Sequence, residues 1–345
     1  MQYAEGFYED VFSKMVSNEY FNELDIQKRE LQKERIKLQT EKLEYSRWLR
    51  MDSRDELIME KIINAIKEQE PINIPDVIPK QNTKTTGLLI FGDEHYGTEF
   101  EIRGLMNEII NAYSPEIFEE RMWDLFNQIT YIIQKENLDT LHVYSMGDFT
   151  DGILRCSQLM KLRYGVVEGT VKYSNFICEW LNELTKYANI KFQMVFGNHS
   201  ELRMLGQPKG TFENDNMGLV VSNTIKIRLK DNPNFEYIEN PTGLIFENIF
   251  GFNFLGIHGE VKNMERAIKD FSNTYNVQID YLIAGHLHHS KSETVGINRE
   301  TINVPSIIGV DGFSLSLNKT SNAGATLAIL EEGKGKTIEY AIKLN

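Results

Sequence analysis

A chain of 345 residues, 41% hydrophobic and 25% charged, has the composition of a folded globular protein of one large or two ordinary domains. Its net charge of −13 excludes a protein that coats duplex nucleic acid through an overall basic surface. No apolar run approaches the roughly 20 residues of a membrane helix, no basic-then-apolar leader opens the sequence, and the two cysteines, Cys156 and Cys178, fit buried thiols in the reducing cytoplasm.

Residues 1–20 mix aromatics and acids without a period and read as a short helix or a docked arm. From Asn22 to Gln69 glycine and proline vanish and Glu, Lys, Arg, Gln and Leu dominate. Leu24, Leu31, Leu38 and Tyr45 recur every seven residues, one seam of a heptad, while the companion positions Lys28, Arg35 and Lys42 are charged. Ile58, Ile62 and Ile66 mark a cleaner amphipathic stripe. Two readings stand here: a charged helix lying on its own domain, or a helical hairpin that joins copies of the chain into a homo-oligomer. Pro71, Pro75 and Pro79 cannot continue a helix. They set residues 71–85 as a linker between a helical region, 1–70, and a second domain, 86–345.

Beyond the linker, strands and helices alternate. Apolar runs end at Phe91, Met146, Phe196, Ile257 and Ala284. Helical patterns cover Pro115 to Glu136, Val166 to Tyr187 and Met264 to Tyr275. Thr301 to Ile307 and Ala325 to Leu330 read as further strands, antiparallel ones. Such alternation predicts a layered α/β domain with helices outside.

The chemistry sits where these strands stop. One run ends in Asp93-Glu94-His95, the next in Gly147-Asp148-Phe149-Thr150-Asp151, the third in Gly197-Asn198-His199, the fourth in His258 and the fifth in Gly285-His286-Leu287-His288. The carboxyl ends of strands in an open α/β sheet are where ligands bind. Asp, Asn and His are hard-to-borderline metal ligands, and two cations about 3.5–4 Å apart clamp both oxygens of a displacement at phosphorus. A carboxylate between the cations offsets their repulsion, and Asp148 is the natural bridge. Asp151 reads either as a support for these ligands or as a helix cap. His142 lies mid-strand and reads as a packed or hydrogen-bonded histidine. Arg155, Lys161, Arg163 and Arg203 are candidates to hold a phosphate.

Asp93-x-His95, Gly147-Asp148-x-x-Asp151, Gly197-Asn198-His199, His258 and Gly285-His286-x-His288 resemble the ordered motifs of the calcineurin-like metallophosphoesterase superfamily, over about residues 86–315. Within it the chain most resembles the bacterial and phage proteins similar to SbcD-type DNA-repair nucleases. The resemblance implies a two-sheet α/β sandwich flanked by helices. It implies one divalent ion held by Asp93, His95, Asp148 and His288, and a second by Asp148, Asn198, His258 and His286, with Mn²⁺ first and Fe or Zn as alternatives. A water or hydroxide between the ions would be the nucleophile, and His199, with Asp148 and Asp151, would complete the catalytic set. The chain departs from the pattern after His199, where Ser200 precedes the acid Glu201: either Glu201 replaces the carboxylate that orients His199 or nothing does. Gly152 stands where the serine/threonine phosphatase branch carries arginine. The expectation is a two-metal phosphodiesterase or nuclease acting on nucleic acid or nucleotides. The rivals are a phosphomonoesterase and a non-catalytic metal-binding scaffold.

Overall fold

The apolar run after the linker alternates its side chains between two cores. In strand β1 (Thr85–Phe91), Leu88 and Ile90 point one way while Leu89 and Phe91 point the other, and all four are buried. A strand covered on both faces must read as continuously apolar, and this one does. The computed structural model describes residues 25–46, 60, 63–64, 69, 72–75, 84–151, 161–202 and 216–344.

Strands β2 (Phe100–Arg103) and β3 (Ile109–Tyr113) form a separate antiparallel hairpin. The first sheet contains β1, β4 (Thr140–Ser145), β5 (Asn189–Met194), β6 (Phe235–Tyr237), β12 (Gly324–Glu331) and β13 (Gly335–Lys343), in the order β13-β12-β1-β4-β5-β6. β1, β4, β5 and β6 run parallel, β12 runs antiparallel to β1, and β13 runs antiparallel to β12. The second sheet contains β7 (Ile245–Ile249), β8 (Phe252–Ile257), β9 (Tyr281–Ala284), β10 (Lys291–Gly296) and β11 (Arg299–Asn303), in the order β10-β11-β9-β8-β7. Here β11 pairs parallel with β9 and antiparallel with β10, so the sequence expectation of antiparallel tail strands holds for β12 and is corrected for the β9 edge of β11.

Between the sheets lie Leu88, Ile90, Tyr144, Met146, Ile245, Phe254, Ile283 and Leu330. On the outer face of the first sheet pack α1 (Pro115–Lys135), α2 (Val166–Leu184) and α3 (Met217–Leu229); on that of the second packs α4 (Met264–Tyr275). α1 starts because Ser114 is extended and accepts a hydrogen bond from Ile117 N at 3.3 Å, with Pro115 at the first helical position. Its stripe of Phe118, Met122, Leu125, Ile129 and Ile132 faces the sheet. α2 ends at Leu184, three residues before the boundary expected from sequence, and its Trp180 is fully buried with the indole N–H on Met122 O at 2.8 Å. Truncating such a side chain costs about 3–5 kcal/mol. The molecule is therefore an α/β sandwich of two sheets flanked by helices.

Ahead of it, residues 25–46 form one helix, on which Leu31, Leu38 and Tyr45 are exposed. Contacts divide the chain into two units, Met1–Gln69 and Glu70–Asn345. Leu24, the Ile58, Ile62 and Ile66 stripe, Pro71, Pro79 and residues 1–20 lie outside the described residues.

Candidate metal centre

All five ligand-bearing segments leave their strands at one edge of the sandwich, and backbone hydrogen bonds sew them together. Asp93 N donates to Gly147 O and His95 N to Asp148 O, both at 2.9 Å, and Gly285 N donates to His258 O at 2.9 Å. One tie crosses between the sheets: His286 N donates to Asp93 Oδ2 at 2.8 Å. Gly147 is needed at φ +90, and a Cβ on Gly197 would strike the Asp148 carboxylate. Asp93 (φ 52), His95 (44), Asp148 (55), His286 (67) and His288 (50) all adopt left-handed backbone. That conformation costs a non-glycine residue roughly 1–2 kcal/mol, and such strain concentrates at functional sites.

The first ligand group is Asp93, His95 and His288. His95 Nδ1 lies 2.9 Å from Asp151 Oδ1. A carboxylate oxygen only accepts, so Nδ1 carries the hydrogen and Nε2 presents its lone pair. His288 Nδ1 lies 3.3 Å from Asp311 Oδ1, an ion-pair distance that favours a proton on that nitrogen. The two Nε2 atoms then face one another at 3.3 Å, and Asp93 Oδ1 stands 3.8 Å from His288 Nε2. Asp93 Oδ1 is buried and has no hydrogen-bond partner. Three acceptors converging on one buried point fit a cation. Burial pushes the Asp93 carboxyl up from its ordinary value, against the pull of His288 and His258. Burial also disfavours a charged His288, but Asp93 and Asp311 outweigh it and raise that ring.

The second group is Asp148, His258 and His286, to which Asn198 adds an oxygen. His258 Nδ1 donates to Met146 O at 2.8 Å, which leaves Nε2 as the nitrogen facing the other ligand atoms. That nitrogen stands 3.0 Å from Asp148 Oδ2, 3.1 Å from Asn198 Oδ1 and 3.2 Å from His286 Nδ1. Again the donor set suits a divalent ion. Burial opposes charge on His258, yet Asp148 prevails and pushes it up to about 9. His286 moves the other way, down to about 4, through burial and the adjacent His258. Asp148 is common to this group and to a third, His95, Asp148 and His199, whose ligand atoms all lie within 4.8 Å of one another. Burial raises the Asp148 carboxyl, but His258, His199 and His95 overcome it and hold it well below the usual range.

His199 sits between the two groups. Its backbone N–H donates to Asp148 Oδ1 at 2.8 Å, and its ring Nδ1 is bound to Asp151 Oδ1. Burial would lower this ring's pKa, but Asp148 and Asp151 raise it to about 9. Asp151 is buried; against the effect of burial, His95 and His199 hold its carboxyl far below the ordinary range, and Thr98 Oγ1 donates to it at 2.5 Å. A carboxylate thus does hold the ring of His199, and it is Asp151. His142 is a buried core histidine, with Nδ1 2.9 Å from Glu247 Oε1. Arg155 and Arg203, the two substrate candidates nearest the ligands in sequence, lie outside the described residues, as does Cys156.

Asp311 was not legible as part of the site. It caps the short helix α5 (Gly312–Ser316), accepting from Ser314 N at 2.8 Å, while facing His288. Burial raises its carboxyl, but His288 outweighs this and holds it below the ordinary range. An Asp before Gly-Phe-Ser signals only a turn or cap, and nothing in sequence joins it to a histidine 23 residues earlier.

The strand order, with five ligand segments at one edge and Asp148 common to two ligand groups, is that of a two-sheet α/β sandwich with candidate metal ligands gathered at its strand ends. Solved structures similar to the chain include Vps29 of Entamoeba histolytica complexed with zinc (TM-score 0.33, 12% identity, 75% of this chain and 100% of that one). Others are a dimetal phosphatase of Danio rerio (0.41, 10%, 76% and 100%) and a 5'-nucleotidase precursor of Thermus thermophilus (0.36, 10%, 75% and 54%). Residues 27–69 match the family model described as the YonJ coiled-coil domain. Over 338 residues the chain is 35% identical to the SPbeta prophage-derived uncharacterized protein YonJ of Bacillus subtilis strain 168, covering 95% of this chain and 82% of that protein. The chain belongs to the YonJ family.

Proposed function

We propose that the chain is a two-metal-ion phosphoester hydrolase acting on phosphodiesters of nucleic acid or nucleotides. The observation that carries this reading is the double convergence of ligand atoms, three around Asp93 and four around Asp148, with no Lys or Arg among the described residues to meet them. Asp93, His95, Asp148 and His288 would hold one ion, and Asp148, Asn198, His258 and His286 the other. Bound there, two cations, Mn²⁺ first among the candidates, would neutralise phosphoryl charge and acidify the attacking water.

The chain's own residues do the rest. Asp151 orients His95 and keeps a proton on His199 Nδ1. His199, the most exposed of this trio, presents its other nitrogen to the leaving oxygen and gives up a proton there. Asn198 places that ring by adjacency. Arg155 and Arg203, which follow ligand segments in the sequence, would bind the non-reacting phosphate oxygens. Residues 27–69 would join copies of the chain, and the prophage-derived relative fits a bacterial setting.

The test is a metal-dependent screen with Mn²⁺ of a chromogenic phosphodiester, a labelled single strand and a chromogenic monoester. Turnover of diesters above the monoester is expected. No turnover of any substrate by protein shown to hold two equivalents of metal overturns the hydrolase reading. Preference for the monoester selects a phosphomonoesterase.

A further inference from the structure

One exposed aromatic ring stands at the mouth of this centre. Phe313, on α5, is 41% exposed, and its ring centroid lies 5.7 Å from that of His286 and 5.8 Å from that of His288. Scattered surface phenylalanines are ordinary; one resting on two ligands of a metal centre is not. The direction of approach agrees. Asp93, His95, Asp148 and His288 are sealed from solvent, whereas Asn198, His199 and His286 are partly open. His286 thus belongs to the open side of the centre, and Phe313 packs against it.

The ring is also held in place. Asp311 Oδ1 accepts from Ser314 N at 2.8 Å, and Asp311 N donates to Ser314 Oγ at 3.0 Å, a reciprocal cap around the residue that carries it. A pre-set aromatic with few rotatable bonds makes contact at little entropic cost. Every nucleobase has a π-face, and stacking on an aromatic side chain is how single strands are held without reading sequence.

We propose that Phe313 is a stacking platform for the nucleobase adjoining the scissile phosphate, so that the site selects nucleotides and single-stranded nucleic acid over phosphoesters without a base. This rests on the hydrolase reading above. A base one sugar away from a phosphate held at the metal centre would stand beside a ring packed against two of its ligands. The chain's acidity is no obstacle, because stacking needs no basic surface.

The experiment uses the full chain loaded with Mn²⁺ and compares oligothymidylate with an abasic strand of equal length. The readout is the ratio of kcat/KM for the two. Phe313→Ala and Phe313→Leu are expected to lower that ratio about 5- to 100-fold, and Phe313→Tyr to preserve it. Phe313→Leu retains apolar packing on His286 without a π-face, so a preserved ratio in that variant overturns the proposal. A second measurement needs no turnover. The fluorescence that Phe313→Trp adds over wild type should be quenched by thymidine 5'-monophosphate and by oligothymidylate, but not by ribose 5-phosphate or inorganic phosphate. Absence of quenching by either base-containing probe also overturns the proposal. If wild type hydrolyses nothing while the quenching is base-specific, the hydrolase reading fails and the base platform stands.

Discussion

The two units of the chain handle solvent in opposite ways. At the strand ends Asp93 and Asp148 are 0% and 1% exposed; along the helix of residues 25–46, Leu31 and Leu38 are each 66% exposed. One region buries charge and the other leaves hydrocarbon in water. Each arrangement is unfavourable alone; the proposed cations would complete the first and the proposed association of copies the second. A third cluster sharpens the contrast. Between the sheets, Glu247 is held by His142 at 2.9 Å, Tyr144 Oη at 2.8 Å and Gln193 Nε2 at 2.7 Å. There the half-buried carboxylate already has donors in Tyr144 and Gln193 and needs no ion.

The contrast breaks most severely at the shared carboxylate. Asp148→Asn is expected to leave at most one metal equivalent by elemental analysis. It should lower kcat/KM by more than the roughly 100-fold that loss of a supporting group costs; two equivalents retained would show that Asp148 is no bridge. His199→Ala should reduce kcat by about 10²–10⁴ with both equivalents still present. Asp311→Asn keeps a good N-cap but weakens the anchor of His288, so calorimetric titration should show one of the two sites about 10–100-fold weaker.

Smaller effects test the satisfied cluster. Burial raises the Glu247 carboxyl, but His142 and Tyr144 outweigh it and hold it below its ordinary value. Its stabilisation is therefore present above the unfolded carboxylate pKa of about 4.3 and fades as pH falls through the lower folded value. Glu247→Gln should lower stability by about 1.5 kcal/mol at pH 7, and the difference from wild type should shrink in urea titrations taken below pH 4; metal content should not change. The smallest catalytic effect belongs to the other unit. Removing residues 1–80 should leave diester turnover in place while light scattering shows a smaller assembly. A full chain that scatters as a 40.0 kDa monomer would refute association through the helix.

Both the site and the sandwich were largely legible because their demands are local. A ligand must be Asp, Asn or His, and each sits directly after an apolar strand that a glycine ends or follows. What escaped reading is set by partners distant in sequence. α3 is buried through Val220, Val221, Ser222, Thr224 and Ile225, so it lacks the one-sided stripe that marks a helix. Arg121 lies on the apolar side of α1, where a charge argues against burial. It is buried nonetheless, since its guanidinium donates to Ile307 O at 2.9 Å, Ile308 O at 2.8 Å and Asn111 Oδ1 at 2.7 Å. The β2–β3 hairpin also went unseen, for Leu105, Met106, Ile109 and Ile110 are apolar yet exposed.

The left-handed ligands have a consequence for variation. Glycine takes that backbone without penalty, so exchanging His95 or His286 for glycine would relax the chain while deleting a donor atom. Selection for heat tolerance alone would therefore enrich sturdy but inert descendants of this protein, and persistence of these histidines in a laboratory lineage would register selection for turnover.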